Sequence, residues 1–395
     1  MQNKAFETLI EGTGLMIYLD NSATTKPHPM VVEKMTQVMQ DCYYNASAAY
    51  APAMLAEREI QEARALAAGA LGVEKDTIVF TSGGTESDNL AILGAANAAR
   101  GRHMITTAVE HPAVIKCVEF LEEKGFETDL APVSIKAEVD VDELLSLIRQ
   151  DTFMVSFMHV NNEVGSVSDI ADISKRIKRR NPDTLVHVDG VQAFLRIPTD
   201  LYHTDVDLYS ASAHKVHGPK GVGFLYIKDG VRLKGVQLGG GQENDRRSGT
   251  YNTPGIAGFG AAIKLVAEDK DAIDRMVNLR AHFLQRLVDE MDDVHLNGPV
   301  NASAPHVLSM SFLGVRAETL LHALEEEGIY VGLGSACAAR KNHISHVLQA
   351  MNLPKDWAEG TVRFSLGCFN TQEEIDRTVD EVKKKVEYLR QFKRR

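Results

Sequence analysis

Short apolar runs rich in β-branched residues alternate with longer amphipathic stretches as far as residue 227. The runs that have the pattern of strands span 77–80, 103–107, 153–160, 184–189, 207–212 and 221–227. This alternation predicts a parallel α/β sheet with helices on both faces. The segment AHKVHGPK between the last two runs is too short for a crossover helix, so this spacing allows an antiparallel pair there.

The pattern changes after about residue 261, which indicates a second, smaller unit. Its predicted elements are one long helix over 261–291, a strand over 306–312, a helix over 317–328, a strand over 361–366 and a final helix from about Gln372. A length of 395 residues is typical of two or three domains. We therefore expect a large α/β domain followed by a smaller α+β domain.

Charge and cysteine content exclude several classes of protein. The chain has 54 acidic and 43 basic residues and a formal net charge of −11, which argues against nucleic acid as a direct ligand. No apolar run approaches the length of a membrane span, and the first 20 residues have no signal-peptide pattern. The four cysteines, widely separated, do not form a disulfide framework or a CxxC pattern, so we expect a reducing, cytoplasmic setting.

A glycine-rich turn follows the first predicted strand, in the sequence TSGGTESDNL at residues 81–90. Gly84 and Thr85 lie where a helix would begin, and free backbone N–H groups at a helix N-terminus bind phosphate well. An ordinary turn with a Thr or Ser cap is the alternative. The motif is neither G-x-G-x-x-G nor a Walker A sequence.

A lysine follows the strand at 207–212, in the sequence YSASAHKVHGPKG. Burial among small residues would lower the pKa of Lys215 and free its amine for Schiff-base chemistry, although a lone lysine is usually a surface residue. Ser212 and His214 are close in sequence and could both donate hydrogen bonds to a phosphate.

Further polar residues end or follow other predicted strands. They are His111 in AVEHPAV, Asn162 in MHVNNEVG, and Asp189 and Gln192 in HVDGVQ. Each signal is weak alone, but the carboxyl ends of parallel strands meet at one edge of a sheet. A phosphate cradle, a lysine, an aspartate and an imidazole together match pyridoxal 5′-phosphate (PLP), which has a phosphate, a carbonyl and a pyridine nitrogen.

Cys337 stands among small residues in the sequence GLGSACAARKNHISHVL. Four interpretations of this thiol remain open. It could be a metal ligand, half of a disulfide, a buried small residue or a nucleophile on a loop. His343 and His346 could share a helix face and bind a metal, but no fourth ligand is evident. We therefore predict no metal site.

The motifs, taken together and in this order, resemble those of cysteine desulfurases, which are PLP-dependent enzymes of the class V aminotransferase fold. They are YLDNSATT (18–25), FTSGGTESDNLAI (80–92), EHPAV (110–114), HVNNEVG (159–165), HVDGVQ (187–192), SAHKVHGPKG (212–221), RRSGT (246–250), GSAC (334–337) and VRFSLG (362–367). The resemblance implies a fold-type I PLP enzyme whose large domain has a mostly parallel sheet of the seven-stranded type. It places the large domain at 27–265, and the small α+β domain, which carries the Cys337 loop, at 1–26 and 266–395.

The resemblance also implies roles for individual residues. Lys215 would link covalently to the cofactor, His111 would stack on its ring and assist proton transfer, and Asp189 would pair with the pyridinium. The other implied cofactor contacts are Gln192 and Asn162 near the ring hydroxyl, and Gly84, Thr85, Ser212 and His214 at the phosphate. Thr250 would reach the phosphate of a neighbouring subunit, which implies a homodimer.

Arg363 resembles the arginine that binds the substrate carboxylate, with Asn162 nearby, since a planar guanidinium suits a carboxylate. Cys337 would take the sulfur of L-cysteine as a persulfide, leave L-alanine, and deliver the sulfur to an acceptor such as an iron–sulfur scaffold. The long segment after Cys337 is typical of the long-loop branch, of the iron–sulfur and nitrogen-fixation type. It reads AARKNHIS, unlike the usual family sequence, so the acceptor stays open.

Two alternatives remain at this stage. One is a selenocysteine lyase or another class V PLP enzyme. The other is a sulfur-relay partner that is active mainly in complex with an acceptor protein.

Overall fold

A computed structural model describes residues 16–334 and 344–392. Its larger sheet has seven strands in the order β2-β8-β7-β6-β5-β3-β4. These strands are β2 (Ile78–Thr81), β3 (His103–Thr107), β4 (Glu127–Ala131), β5 (Thr152–Met158), β6 (Leu185–Asp189), β7 (Leu208–Ser212) and β8 (Gly223–Ile227). All are parallel except β8, which is antiparallel to both of its neighbours, β2 and β7. The predicted mostly parallel α/β sheet is therefore confirmed, including the antiparallel pair.

Helices alternate with these strands and cover both faces of the sheet. They are α1 (Pro29–Asp41), α2 (Ala53–Leu71), α3 (Gly84–Ala96), α4 (Pro112–Glu123), α5 (Val141–Ser146), α6 (Ile170–Arg180) and α7 (Thr253–Glu268). One apolar core lies beneath α2, α6 and α7 and includes Phe157, Phe194 and Phe259, while a second lies between the sheet and α3 and α4. Because helices seal both faces, ligands can reach the sheet only at its edges and strand ends.

The remaining part of the described chain builds a smaller α+β unit. Its elements are β1 (Ile17–Tyr18), α8 (Ala272–Glu290), β9 (Val294–Asn297), β10 (Val307–Phe312), α9 (Ala317–Glu325), β11 (Ile329–Tyr330), α10 (His346–Ala350), α11 (Lys355–Ala358), β12 (Thr361–Ser365) and α12 (Gln372–Arg390). Strands β9, β10 and β12 form an antiparallel sheet, and β1 pairs in parallel with β11.

One core of this unit joins Ile17 and Leu19 to residues from Phe283 onward. This shared core supports the division of the chain near residues 26 and 265, which stays a prediction.

Two elements differ from the sequence prediction. The single helix predicted over 261–291 is wrong, because α7 ends at Glu268 and α8 begins at Ala272. The backbone at Asp269 is not helical (φ −92°, ψ 79°), and the two helices pack on different units, α7 on α1 and α2 and α8 on α12. Strand β4 was not predicted; it is an edge strand with mostly accessible side chains and therefore lacks a continuous apolar run.

No helix among the described residues is both long and apolar enough to cross a bilayer.

Candidate active site

The carboxyl ends of the parallel strands line a cavity of about 630 Å³. Ten of the predicted site residues lie in its wall: Gly84, Thr85, His111, Asn162, Asp189, Gln192, Ser212, His214, Lys215 and Arg363. Thr250 is exposed and lines a separate small cavity before α7. Cys337 and His343 lie outside the described residues. The cavity therefore brings together predicted site residues that are up to 279 positions apart in the chain, from Gly84 to Arg363.

Lys215 ends the short 3₁₀ turn that follows β7. Its Nζ donates to the carbonyl oxygens of Ser22 and Ala23, the second over 2.9 Å. Burial, together with the positive charges of Arg363 and Arg196, lowers the pKa of Lys215 to about 7. A substantial fraction of this amine is therefore neutral and nucleophilic at neutral pH.

Asp189 is the last residue of β6, and its Oδ1 accepts a hydrogen bond from the Val191 N–H over 3.0 Å. Burial raises its pKa to about 6. Two other carboxyl groups, those of Asp88 and Glu110, are fully buried nearby. Burial raises the pKa of Glu110 to about 8, and burial with the Asp189 charge raises that of Asp88 well above its usual value. Of Asp189 and Glu110, Asp189 has the lower pKa and is the more readily ionised at neutral pH.

The N-terminus of α3 opens into the cavity without a side-chain cap. The hydroxyl of Ser212 is buried and has no hydrogen-bond partner among the described residues. It lies 3.7 Å from the position that a Cβ at Gly83 would occupy. Free helix N–H groups and an unpartnered hydroxyl form a site for an anion, since each can donate a hydrogen bond to it.

His214 completes this end of the cavity. Its Nδ1 lies 3.2 Å from Thr24 Oγ1. Burial and the neighbouring lysines lower its pKa to about 4, so the ring is neutral at neutral pH and could donate one N–H.

His111 is the N-cap of α4, and its Nδ1 accepts a hydrogen bond from the Ala113 N–H over 3.1 Å. The ring is accessible from the cavity, yet the surrounding protein removes much of its hydration. This desolvation, with the charge of Lys215, lowers the pKa of His111 to about 4. The neutral ring, whose Nδ1 accepts, must carry its proton on Nε2.

Arg363, on β12, brings a buried guanidinium to the cavity from the smaller unit. Its Nη1 donates to the carbonyl oxygens of Asn162 (2.9 Å) and Gly334 (3.0 Å), and its Nη2 donates to Asp20 Oδ1 (2.6 Å). Its Nε is buried and has no hydrogen-bond partner among the described residues. An anion that reaches this part of the cavity would meet a guanidinium whose charge is already paired with Asp20.

Gln192 makes three hydrogen bonds within the protein. Its Nε2 donates to Ser22 O (2.9 Å), and its Oε1 accepts from Arg196 Nη1 (3.1 Å) and pairs with His306 Nε2 (3.2 Å). Since the Ser22 carbonyl also accepts from Lys215, Gln192 helps to fix the lysine. The predicted contact of Gln192 with a ring hydroxyl stays a prediction.

Sequence reasoning missed Asp20, Arg196 and the carbonyl groups that hold Lys215. Asp20 lies within YLDNSATT and could have been singled out, because this motif is otherwise rich in small residues. Arg196 gave no signal, since only the fold shows that it is buried and donates to the Lys215 carbonyl.

The residues present fit PLP. The amine of Lys215 suits the cofactor's carbonyl, and the carboxylate of Asp189 suits a protonated ring nitrogen. The uncapped helix and the unpartnered Ser212 hydroxyl suit the phosphate. The fold and the site together define a fold-type I PLP-dependent enzyme.

The chain belongs to the aminotransferase class-V family, whose pattern it matches over residues 17–378. It is 41% identical over 377 residues to a protein of Dictyoglomus turgidum named cysteine desulfurase IscS, covering 95% of each chain. A solved structure of a NifS-like protein superposes with a TM-score of 0.89 at 38% identity, covering 95% of this chain and 100% of that one. A structure of SspA in complex with cysteine superposes with a TM-score of 0.79 at 31% identity, covering 90% of this chain and 100% of that one. Members of this family and the cysteine desulfurases depend on PLP.

Proposed function

We propose that this chain is a PLP-dependent cysteine desulfurase that converts L-cysteine to L-alanine and passes the sulfur to Cys337 as a persulfide. The main support is that Lys215 and Arg363 line the same cavity. Lys215 contributes an amine with a pKa of about 7, and Arg363 contributes a buried guanidinium. Relatives named cysteine desulfurase and a related structure holding cysteine agree with this substrate.

Arg363 would bind the carboxylate of the substrate. Its guanidinium is planar and can donate two parallel hydrogen bonds to a carboxylate, which fixes orientation as well as charge. Asn162 lines the same cavity. Together they would direct the amino group and the thiol of cysteine toward the Lys215 end.

Lys215 and His111 would handle protons at the reacting atoms. PLP, when bound, supplies an acceptor for the electrons of bonds broken at the substrate. The pKa of about 7 lets Lys215 Nζ both take up and release a proton near neutral pH. His111 stays neutral and can donate through Nε2. Asp189 would keep the ring nitrogen protonated.

Cys337 would act as the sulfur acceptor. Its thiolate would attack the substrate sulfur, the carbon–sulfur bond would break, and the carbon would keep the electron pair and gain a proton, which leaves alanine. Two of the other three cysteines are poor candidates. Burial raises the pKa of Cys117 to about 12. Cys368 is exposed, yet desolvation by the surrounding protein and the nearby Asp269 carboxylate raise the pKa of its thiol to about 11. Both therefore stay protonated at neutral pH.

The proposed assembly is a homodimer in the cytoplasm that delivers sulfur to an acceptor protein, for which an iron–sulfur scaffold is one candidate. Exposed apolar side chains on and after α1 support a protein interface. They are Met30, Val32, Met39, Tyr43, Tyr50 and Met54. Contiguous exposed apolar surface usually marks an interaction site. Thr250 would then serve the site of the partner.

The direct test is incubation of the PLP-loaded protein with L-cysteine, with alanine quantified and Cys337 analysed by mass spectrometry after alkylation. We expect alanine in amounts matching the sulfur transferred and a persulfide on Cys337. Faster turnover of selenocysteine, or of a keto-acid acceptor, would favour a selenocysteine lyase or an aminotransferase instead. Turnover that needs an added acceptor protein would indicate a sulfur-relay partner.

A further inference from the structure

We propose that Glu163 is a positioning residue for the segment that carries Cys337, because its carboxylate contacts residues on both sides of that segment. The proposal rests on the proposed function and adds a residue to it. Glu163 lies in the turn after β5, and Gly334 and Ser345 flank residues 335–343.

The first contact is with Ser345, the N-cap of α10. Its hydroxyl donates to Glu163 Oε2 over 2.5 Å, and its Oγ accepts from the Val347 N–H over 3.1 Å. Ser345 is 5% exposed and Glu163 is 2% exposed, so water competes little for this bond. A short bond to a carboxylate is among the stronger hydrogen bonds in proteins.

The second contact is with Gly334, on the other side of the segment. A Cβ at this position would lie 2.7 Å from the same Oε2 atom, so the Gly334 backbone packs directly on the carboxylate. Gly334 also has a φ of +76°, a left-handed conformation that favours glycine. One oxygen atom therefore lies against both flanks of the segment.

Glu163 itself is held by the protein. Its N–H and that of Val164 donate to Asn161 Oδ1 over 2.9 and 3.0 Å. Burial raises the pKa of Glu163, whereas Ser345, His346 and Arg363 oppose that rise. A carboxyl group is almost never fully buried without partners, and its partners here are the two flanks and the arginine beside them.

Arg363 connects the contacts of Glu163 to the proposed substrate site. The guanidinium that would bind the substrate carboxylate also donates to the Gly334 carbonyl over 3.0 Å. On the other flank, His346 Nε2 donates to the carbonyl oxygen of Glu110, the residue before His111. Substrate binding at Arg363 would therefore act, through Gly334 and Glu163, on the two residues that flank the segment carrying Cys337.

The test is a single-turnover measurement of persulfide formation on Cys337 in PLP-loaded Glu163→Ala, Glu163→Gln, Ser345→Ala and the Glu163→Ala/Ser345→Ala double variant. We expect Glu163→Ala to slow persulfide formation about tenfold, since it removes a buried charge-assisted hydrogen bond. Glu163→Gln should recover part of the rate because its amide oxygen still accepts from Ser345. The rate reductions of Glu163→Ala and Ser345→Ala should not multiply in the double variant, because both substitutions remove the same hydrogen bond.

Two readouts separate positioning from general structural damage. The visible absorbance of the bound cofactor, and its change on adding L-cysteine, should stay near the wild type in all variants. Ser166→Ala is the matched control: Ser166 is also 5% exposed and its hydroxyl also makes one donor bond, to the Ala137 carbonyl. It should leave the rate of persulfide formation unchanged.

The proposal is overturned if Glu163→Ala and Ser345→Ala form the persulfide at the wild-type rate, or if their losses multiply in the double variant. It is equally overturned if cofactor binding falls in parallel with persulfide formation. If Glu163→Ala does not fold, Glu163→Gln and Ser345→Ala decide the outcome by the same criteria. A wild-type protein that yields no alanine would instead refute the proposed function.

Discussion

Arg363 Nη2 donates to Asp20 Oδ1 over 2.6 Å at the mouth of the cavity, between β12 and the residue that follows Leu19. The arginine side chain is 4% exposed, whereas that of the aspartate is 24% exposed. If Arg363 binds the substrate carboxylate as proposed, that carboxylate would meet a guanidinium that already has a carboxylate partner on one side. Substrate affinity would then depend on how readily Asp20 shares or yields this position.

Arg363→Lys should raise the KM for L-cysteine about tenfold to a hundredfold, with a smaller change in kcat. The ammonium keeps the charge but cannot donate two parallel hydrogen bonds to a carboxylate. Steady-state alanine production over a range of cysteine concentrations measures this. Asp20→Asn is the companion variant; it removes the competing charge but keeps a carbonyl acceptor, and it should lower KM. An unchanged KM in Arg363→Lys would show that the substrate carboxylate binds elsewhere.

The rate at which the apoprotein captures PLP should rise about tenfold per pH unit below pH 7 and level off above about pH 8. Only the neutral amine of Lys215 can attack a carbonyl, and burial lowers its pKa to about 7. The neutral fraction is therefore small below this pH and nearly complete above it. Stopped-flow absorbance after mixing with PLP gives the profile, and Lys215→Ala should lack a borohydride-trappable linkage and its visible band. A rate that keeps rising through pH 10 would mean an unperturbed lysine.

Cys337→Ala should still bind PLP and respond spectrally to L-cysteine, but should produce neither alanine nor persulfide. The described residues that line the cavity all lie elsewhere in the chain, while no nucleophile would remain to take the sulfur. Cys368→Ala is the matched control, because the pKa of its thiol is raised to about 11 and it should be inert at neutral pH. Normal alanine production by Cys337→Ala, together with loss of activity in Cys368→Ala, would reverse the assignment.

Thr250→Ala should weaken PLP binding by about tenfold without changing the oligomeric state. Thr250 is exposed and does not line the main cavity, which agrees with a contact to a cofactor in a neighbouring subunit. The loss of one hydrogen bond to a phosphate accounts for this magnitude. Light scattering and PLP titration of the apoprotein measure the two properties. A wild-type monomer with full PLP affinity would refute the shared-site arrangement.

Gly190→Ala should lower the melting temperature, because the added Cβ would lie 1.9 Å from the Cζ atom of Tyr209, which is completely buried. Overpacking of this kind costs about 1–3 kcal/mol. Tyr209→Leu should relieve part of the loss in the double variant. Gly69→Ala is the control, since nothing lies within 4 Å of its added Cβ within α2, and it should be neutral or stabilising. Equal melting temperatures for the two alanine variants would contradict the close packing at Gly190.

Much of the fold followed from local patterns. Strand β3 was predicted at its observed bounds, and β5 to β8 within two residues at each end, because buried strands are continuous apolar runs. The same logic failed for β4, which is exposed at the sheet edge, and for the break at Asp269, where no proline or glycine interrupts the helical pattern.

The cofactor end of the site was also predictable. Lys215 and His111 each follow a predicted strand and Asp189 ends one. The geometry of a parallel sheet brings strand ends together whatever the intervening sequence. What each of them does there stays a prediction.

The sequence by itself thus determined the sheet and the residue types at its carboxyl edge, because both depend on short-range periodicity and on neighbouring positions. Only the tertiary structure decided the pairing of Arg363 with Asp20, which are 343 residues apart, and of Glu163 with Ser345, which are 182 apart. Only the folded chain, through burial and the charges of Arg363 and Arg196, lowers the pKa of Lys215 to about 7. Contacts between distant segments and the desolvation of a charge depend on which surfaces meet in space, and no spacing within one segment encodes that.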